Sequence, residues 1–212
     1  NFYSSTYNFT LCNIKKKYSS GHNITNCTIE NLNTFLNVKI KKKDYSLDYL
    51  SKSVIAEAKR LLPNDNYIGF SITQGNVYRK KSWPIEKFIV LAKKIVEKNK
   101  IPVFFVEKKN ISLVNKIKAE ISNALFPEHN SKNPSPGLVT ALATRLDKAV
   151  SIDNGIMHMI GLAKIPLVVL FGPTNSKKFA PDNNNVKILD SKEMYKSEDI
   201  SKIGIEDVLK HI

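Results

Sequence analysis

The chain alternates short apolar runs with longer stretches in which apolar residues recur every three or four positions. "YIGFSI" (residues 67–72) is a continuous apolar run closed by "TQGN", and this reads as a buried strand followed by a turn. In "KKSWPIEKFIVLAKKIVEKNK" the residues Ile85, Phe88, Ile89, Ala92, Ile95 and Val96 share one helical face, Lys87, Lys93, Lys94 and Lys98 face away, and Pro84 suits the first turn. "IPVFFV" predicts the next strand, "ISLVNKIKAEIS" and "PGLVTALATRLD" two further helices. "KAVSI" and "PLVVLF" predict two more strands, with "NGIMHMIGLAK" helical between them. Strands alternating with helices point to an α/β fold, a Rossmann-like parallel sheet with right-handed crossovers and helices on both faces.

The first 66 residues are less regular. "TIENLNTFLNVKI" has helical apolar spacing, residues 41–43 form a solvated lysine run, and "LDYLSKSVIAEAKRLLPNDN" reads as a helix ending in a Pro/Asn/Asp-rich linker. A boundary near residues 63–66 divides the chain into 1–66 and 67–212. The leading segment is short for an independent α/β domain, so it is expected to be the remnant of an incomplete second one. Residue 1 is Asn rather than Met, which leaves a piece of something longer open.

With 212 residues and 42% hydrophobic content the chain can bury a real core. Its apolar runs fall far short of the roughly 20 residues that span a bilayer, and neither a transmembrane helix nor a signal peptide is legible. Cys12 and Cys27 suggest a reducing compartment without a disulfide framework. Together with His22 they fit no standard zinc spacing, so no metal is expected. The sequons at Asn8, Asn23 and Asn26 are those an Asn-rich chain produces by chance.

The net charge of +14 changes the picture more. Residues 67–120 carry 12 basic against 4 acidic side chains, whereas residues 121–212 carry 11 against 10. So concentrated an excess suggests an anionic partner near the middle of the chain. Nucleic acid is not expected, because no basic helix interleaved with aromatics, no zinc finger and no aromatic ribonucleoprotein strand is present.

Candidate chemistry gathers at the predicted carboxyl ends of the strands, where ligands bind in open α/β sheets. In "SIDNGIMHMIG" a strand ends, Asp153, Asn154 and Gly155 form a tight reversal, and a helix begins whose first amides can hold an anion. Gly155 would let a phosphate approach the backbone. Two more glycine-containing loops share that edge, Gly75 with Asn76 in "TQGN" and Gly172 with Thr174 in "FGPTN", and the basic cluster Arg79, Lys80 and Lys81 hangs from the first of them. Such a pocket suits a diphosphate, hence a nucleotide. Neither a P-loop nor a G-x-G-x-x-G fingerprint is present. The packing alternatives are that Asp153 merely caps its helix, that His158 is a packed helical histidine and that Lys81 is one more solvated lysine; Trp83 reads as core, and His22, His129 and His211 carry no role.

"GNVYRKKSWP" and "SIDNGIMHMIGLAKIPLVVLFGPTNSKKFAP" together resemble the carboxyl-terminal half of the family 9 glycosyltransferases, the ADP-heptose:lipopolysaccharide heptosyltransferases. The resemblance covers roughly residues 67–212 and reaches more loosely back to about His22. Its specificity lies in the order K-x-W-P, D-x-G-x-x-H, F-G-P-T. It implies a GT-B architecture of two Rossmann-like domains, an ADP-sugar donor held by the carboxyl-terminal domain, a lipopolysaccharide or other glycan acceptor, and metal-independent transfer with inversion, with no cofactor. Residue by residue it implies that Lys81 contacts the donor phosphates and that Asp153, Asn154, Gly155 and His158 contact phosphate and sugar, with Asn154 standing where Thr or Ser is usual. Glu107 is the nearest candidate for the ribose contact.

Members of that family are longer, and the aspartate implied as their general base lies in an amino-terminal stretch without a counterpart here. The catalytic base is thus unknown, Asp44 and Asp48 are not substitutes, and this chain alone is expected to be inactive. The resemblance further implies a cytoplasmic protein working at the inner face of the bacterial inner membrane, where a basic surface suits anionic lipid. The alternative class is a noncatalytic nucleotide-binding module, a sugar-nucleotide epimerase of GT-B-like fold or a basic RNA-associated protein.

Overall fold

The computed structural model describes residues 23–39, 46–75 and 77–212; Asn8, Cys12, His22, residues 41–43, Asp44 and Asn76 lie outside them. Among the described residues two helices come first, α1 (Ile24–Leu36) and α2 (Lys52–Leu61). The sheet then builds through β1 (Tyr67–Ser71), α3 (Ile85–Glu97), β2 (Ile101–Phe105), α4 (Ile111–Glu120), α5 (Pro136–Ala143) and β3 (Lys148–Ile152). It continues through α6 (Gly155–Leu162), β4 (Leu167–Phe171), α7 (Ser176–Phe179), β5 (Val186–Asp190), α8 (Ser191–Tyr195) and α9 (Ile205–Leu209). All strand pairs are parallel, in the order β2-β1-β3-β4-β5. The α/β fold predicted from alternation is thus the fold observed.

The strands form where the apolar runs are unbroken, because both faces of the sheet are covered. On one face Phe88, Ile95, Ile117, Ile203 and Val208 pack over Phe70, Phe104, Val150 and Leu170. On the other, Leu138, Leu142, Met157 and Ile160 pack over Tyr67, Val103, Val169 and Phe171. Ala58 and Leu62 are buried in this second cluster with Val54 against it, so the core under α5 extends upstream of Tyr67 into α2. Aromatic rings run through the first cluster from Trp83 to Phe88 (4.8 Å between centroids), Phe70 (6.3 Å), Phe104 (5.0 Å) and Phe126 (5.7 Å). Each such pair adds about 0.5–1.5 kcal/mol beyond burial.

α3 buries Phe88, Ile89, Ala92 and Ile95, as its spacing predicts, and Leu91 besides. Lys87 departs from the expected outward face. Its ammonium lies 5.6 Å from the Trp83 ring centre and donates to the carbonyls of Ser201 and Ile203, at 2.6 and 2.8 Å. Cys27 is buried on α1, which is tied to the domain where Asn23 Nδ2 donates to the Ala180 carbonyl at 2.9 Å. Among the described residues no helix is long and apolar enough to cross a membrane.

The strand order fixes where a ligand can sit. The chain leaves β1 toward β2, then returns past β1 to lay down β3, so the connections diverge between β1 and β3 and open a crevice at their carboxyl ends. Asp153, Asn154 and the start of α6 follow β3 directly into that crevice.

Candidate functional site

Asp153 is 6% exposed, and its Oδ2 accepts from Lys81 Nζ at 2.5 Å and from Thr174 Oγ1 at 2.7 Å. Loops following β1, β3 and β4 therefore meet at one carboxylate. Lys81 reaches it because Lys80 takes a left-handed backbone (φ 47°), uncommon for a residue with a side chain, and because the Lys81 amide donates to Gln74 Oε1 at 2.8 Å. The Lys81 side chain is mostly shielded, while Arg79 and Lys80 are exposed. An ammonium has three donors; Asp153 takes one, which leaves two to face an anion.

Asn154 has a different local role. Its Oδ1 caps α6 by accepting from the Met157 amide at 2.8 Å, and its Nδ2 donates to Ser71 Oγ at 2.7 Å and to the Thr73 carbonyl at 2.8 Å. The side chain therefore staples β3 to β1 across the crevice, and its amide hydrogens are spent inside the protein. Ser71 and Ser151 are partners in the strand register, and Ser151 donates to the Ile152 carbonyl at 2.8 Å. Two buried serines at matching ends of otherwise apolar strands were the available signal for this contact.

α6 begins at Gly155, and the first amides of a helix have no intrahelical partner. Among the described residues nothing lies within 4 Å of where a Cβ on Gly155 or Gly75 would sit, so both backbones face open space. His158, one turn into α6, is exposed at its outer side. Partial burial lowers its pKa below the usual 6.5, the Asp153 carboxylate pulls it back up, and the Lys81 ammonium lowers it further.

Glu107 is exposed after β2 and ion-paired to Lys109 at 2.7 Å. It borders a cleft of about 550 Å³ together with Gln74, Gly75, Trp83 and Asn110. The structure thus joins Lys81, Asp153 and Thr174 directly, sets Asn154, Gly155 and His158 beside them, and leaves Glu107 on the cleft it shares with Gln74 and Gly75. A second cleft of about 460 Å³ opens between α2 and the segment before α5, and none of the predicted site residues lines it. Its Arg60 is committed to Glu57, whose carboxyl it holds down at about 2, and to the Asn130 carbonyl.

Behind Glu107 lies Glu128, whose Oε2 is buried without a hydrogen-bond partner. Burial and then the Glu107 charge push its pKa up to about 7. The folded state therefore holds this proton more tightly than the unfolded chain does, and the associated stability, complete below about 4.5, is lost as pH rises through 7. Glu128→Gln, which imitates the protonated form, is expected to match the parent in urea denaturation at pH 4.5 and to exceed it increasingly up to pH 8.

The sequence model of glycosyltransferase family 9 (heptosyltransferase) matches residues 16–209. No curated protein matches the chain. Among solved structures, the glycosyl transferase family 9 protein of Veillonella parvula DSM 2008 superposes with a TM-score of 0.77 at 18% identity, over 96% of this chain and 63% of that one. The Escherichia coli heptosyltransferase WaaC with ADP gives 0.69 at 16% identity, over 93% and 58%. The E. coli ADP-heptose lps heptosyltransferase II gives 0.62 at 19%, over 76% and 50%. The chain spans between half and two-thirds of the length of these structures, and likeness at such identities carries the fold.

Proposed function

Because the chain belongs to glycosyltransferase family 9, we propose that residues 67–212 hold the ADP-sugar donor of a glycosyltransferase of GT-B architecture, with residues 1–66 the remnant of its acceptor domain and linker. The complete protein would move a sugar, heptose being the reading we favour, onto a lipopolysaccharide core or related surface glycan. The observation that carries this reading is the convergence of Lys81, Asp153 and Thr174 at the β1/β3 crevice, where two ammonium donors and the first turn of α6 can serve one diphosphate.

The transfer needs no metal in this reading. An acceptor hydroxyl attacks the anomeric carbon, the bond from that carbon to the phosphate oxygen breaks with inversion, and ADP leaves while the hydroxyl proton passes to a base not assigned to this chain. Lys81 and the amides of Gly155 and Ile156 would offset the charge that grows on the departing diphosphate. Asp153 and His158 would hold Lys81 and the sugar end, Gly75 and Thr174 would shape the walls, and Glu107 would take the ribose hydroxyls. The protein would work in the cytoplasm at the inner face of the membrane, its basic surface favouring anionic lipid.

Calorimetric titration of the chain with ADP, and with UDP for comparison, tests the reading. ADP is expected to bind and UDP to bind more weakly; a preference for UDP would move the reading toward a different sugar nucleotide, and no nucleotide binding by the folded chain would end it. Proton linkage offers a second check. A diphosphate beside His158 favours its cation, so binding should raise the lowered pKa and strengthen as pH falls from 7.5 to 6. In His158→Gln that part of the pH dependence disappears, and ADP's own titration, common to both proteins, cancels in the difference.

A further inference from the structure

The residues of the site are held from behind by a stretch to which no role has been given. After β5, Asp190 is buried and its Oδ1 accepts from the Lys192 amide at 2.9 Å, which fixes the start of α8. From there the half-buried Lys192 side chain sends its ammonium to two backbone carbonyls, Pro173 at 3.1 Å and Thr174 at 2.9 Å. These belong to the loop whose Thr174 hydroxyl reaches Asp153.

Gly172, at the base of the loop, sits so close to the following segment that a Cβ there would come within 2.8 Å of Ile200 Cβ and 2.9 Å of the Glu198 carbonyl oxygen. That segment also braces the other arm of the site. Trp83 Nε1 and Lys87 Nζ both donate to the Ile203 carbonyl, at 3.0 and 2.8 Å, and Trp83 is two residues beyond Lys81. The two arms, far apart in sequence, thus rest on one support, residues 190–203.

We propose that Lys192 is a positioning residue of the diphosphate site: by gripping the Pro173 and Thr174 carbonyls it sets the Thr174 hydroxyl on Asp153 and, through Asp153, the direction of the Lys81 ammonium. Charge alone would not need this arrangement, since a lysine that only neutralised Asp190 or balanced the surface would have no reason to spend two donors on one loop. The proposal rests on the diphosphate-binding reading above.

The test uses the full chain as Lys192→Met, Lys192→Arg, Thr174→Val and the double variant Lys192→Met/Thr174→Val. Hydrogen–deuterium exchange of the peptide covering residues 172–176, measured without nucleotide, should quicken in Lys192→Met and return toward the parent in Lys192→Arg. The ADP dissociation constant should rise about tenfold in Lys192→Met, the scale of hydrogen bonds from a charged donor, and recover most of that loss in Lys192→Arg. In the Thr174→Val background the same substitution should add less than twofold, because the route through Thr174 is already cut. Unchanged exchange at residues 172–176, or the full tenfold effect persisting in the Thr174→Val background, overturns the proposal. If the parent chain binds no ADP the functional reading falls instead, and the exchange comparison still decides whether Lys192 orders the loop.

Discussion

Lys81→Met is expected to weaken ADP binding about a hundredfold, at the upper end of the about 1.5–3 kcal/mol that one lost charged contact ordinarily costs. Two losses point the same way. The ammonium that would face the diphosphate is gone, and Asp153, 6% exposed, is left as an uncompensated carboxylate beside an anion. The ligand-free chain suffers as well, because removing one partner of a shielded ion pair costs about 3 kcal/mol, whereas removing both is often close to neutral. Lys81→Met/Asp153→Leu should accordingly recover most of the stability in urea denaturation. It should recover only part of the affinity by calorimetry, since the repulsion is relieved but no donor returns. Parent-like ADP binding by Lys81→Met would remove the basis for reading the crevice as a diphosphate site.

What the sequence disclosed and what it withheld divide along a physical line. β1 to β4 were legible because strands covered on both faces are unbroken apolar runs, and α3 because its apolar residues keep helical spacing. β5 was not, since this edge strand buries only Leu189 and Asp190 while Lys187 and Ile188 stay exposed, and an Asn-rich stretch precedes it. Lys81 and Asp153 stood out as loop residues at strand ends, yet their contact spans 72 positions and no local pattern announces it. Asn154 illustrates the opposite difficulty: its place in the motif suggests a ligand contact, while tertiary structure turns its side chain onto Ser71 and Thr73. Lys87 reads as an ordinary outward-facing lysine and nothing singles out Lys192, because their partners are backbone carbonyls, which every residue possesses. Polar groups that hold loops by the main chain leave almost no trace in composition or spacing.

Trp83 is where the core and the site depend on the same side chain. It is 2% exposed, meets Phe88 edge to face at 4.8 Å and 89°, and ends the row of rings that runs to Phe126. Trp83→Ala should therefore cost about 3–5 kcal/mol, the range for emptying an aromatic core position, a large share of the 5–15 kcal/mol by which a typical domain is stable. Trp83→Phe separates the two roles. A phenyl ring keeps most of the contact with Phe88 but cannot donate to the Ile203 carbonyl, and that carbonyl still receives the Lys87 ammonium at 2.8 Å, so it is not orphaned. The expected stability loss is then only about 1 kcal/mol, that of a single hydrogen bond. If the indole anchors the loop of Lys81 to residues 190–203, Trp83→Phe should nevertheless raise the ADP dissociation constant severalfold. Paired urea denaturation and ADP titration would reveal this as an affinity loss out of proportion to the stability loss. Loss of stability with unchanged affinity would make Trp83 a core residue alone, with the direction of Lys81 set by Gln74 and Asp153.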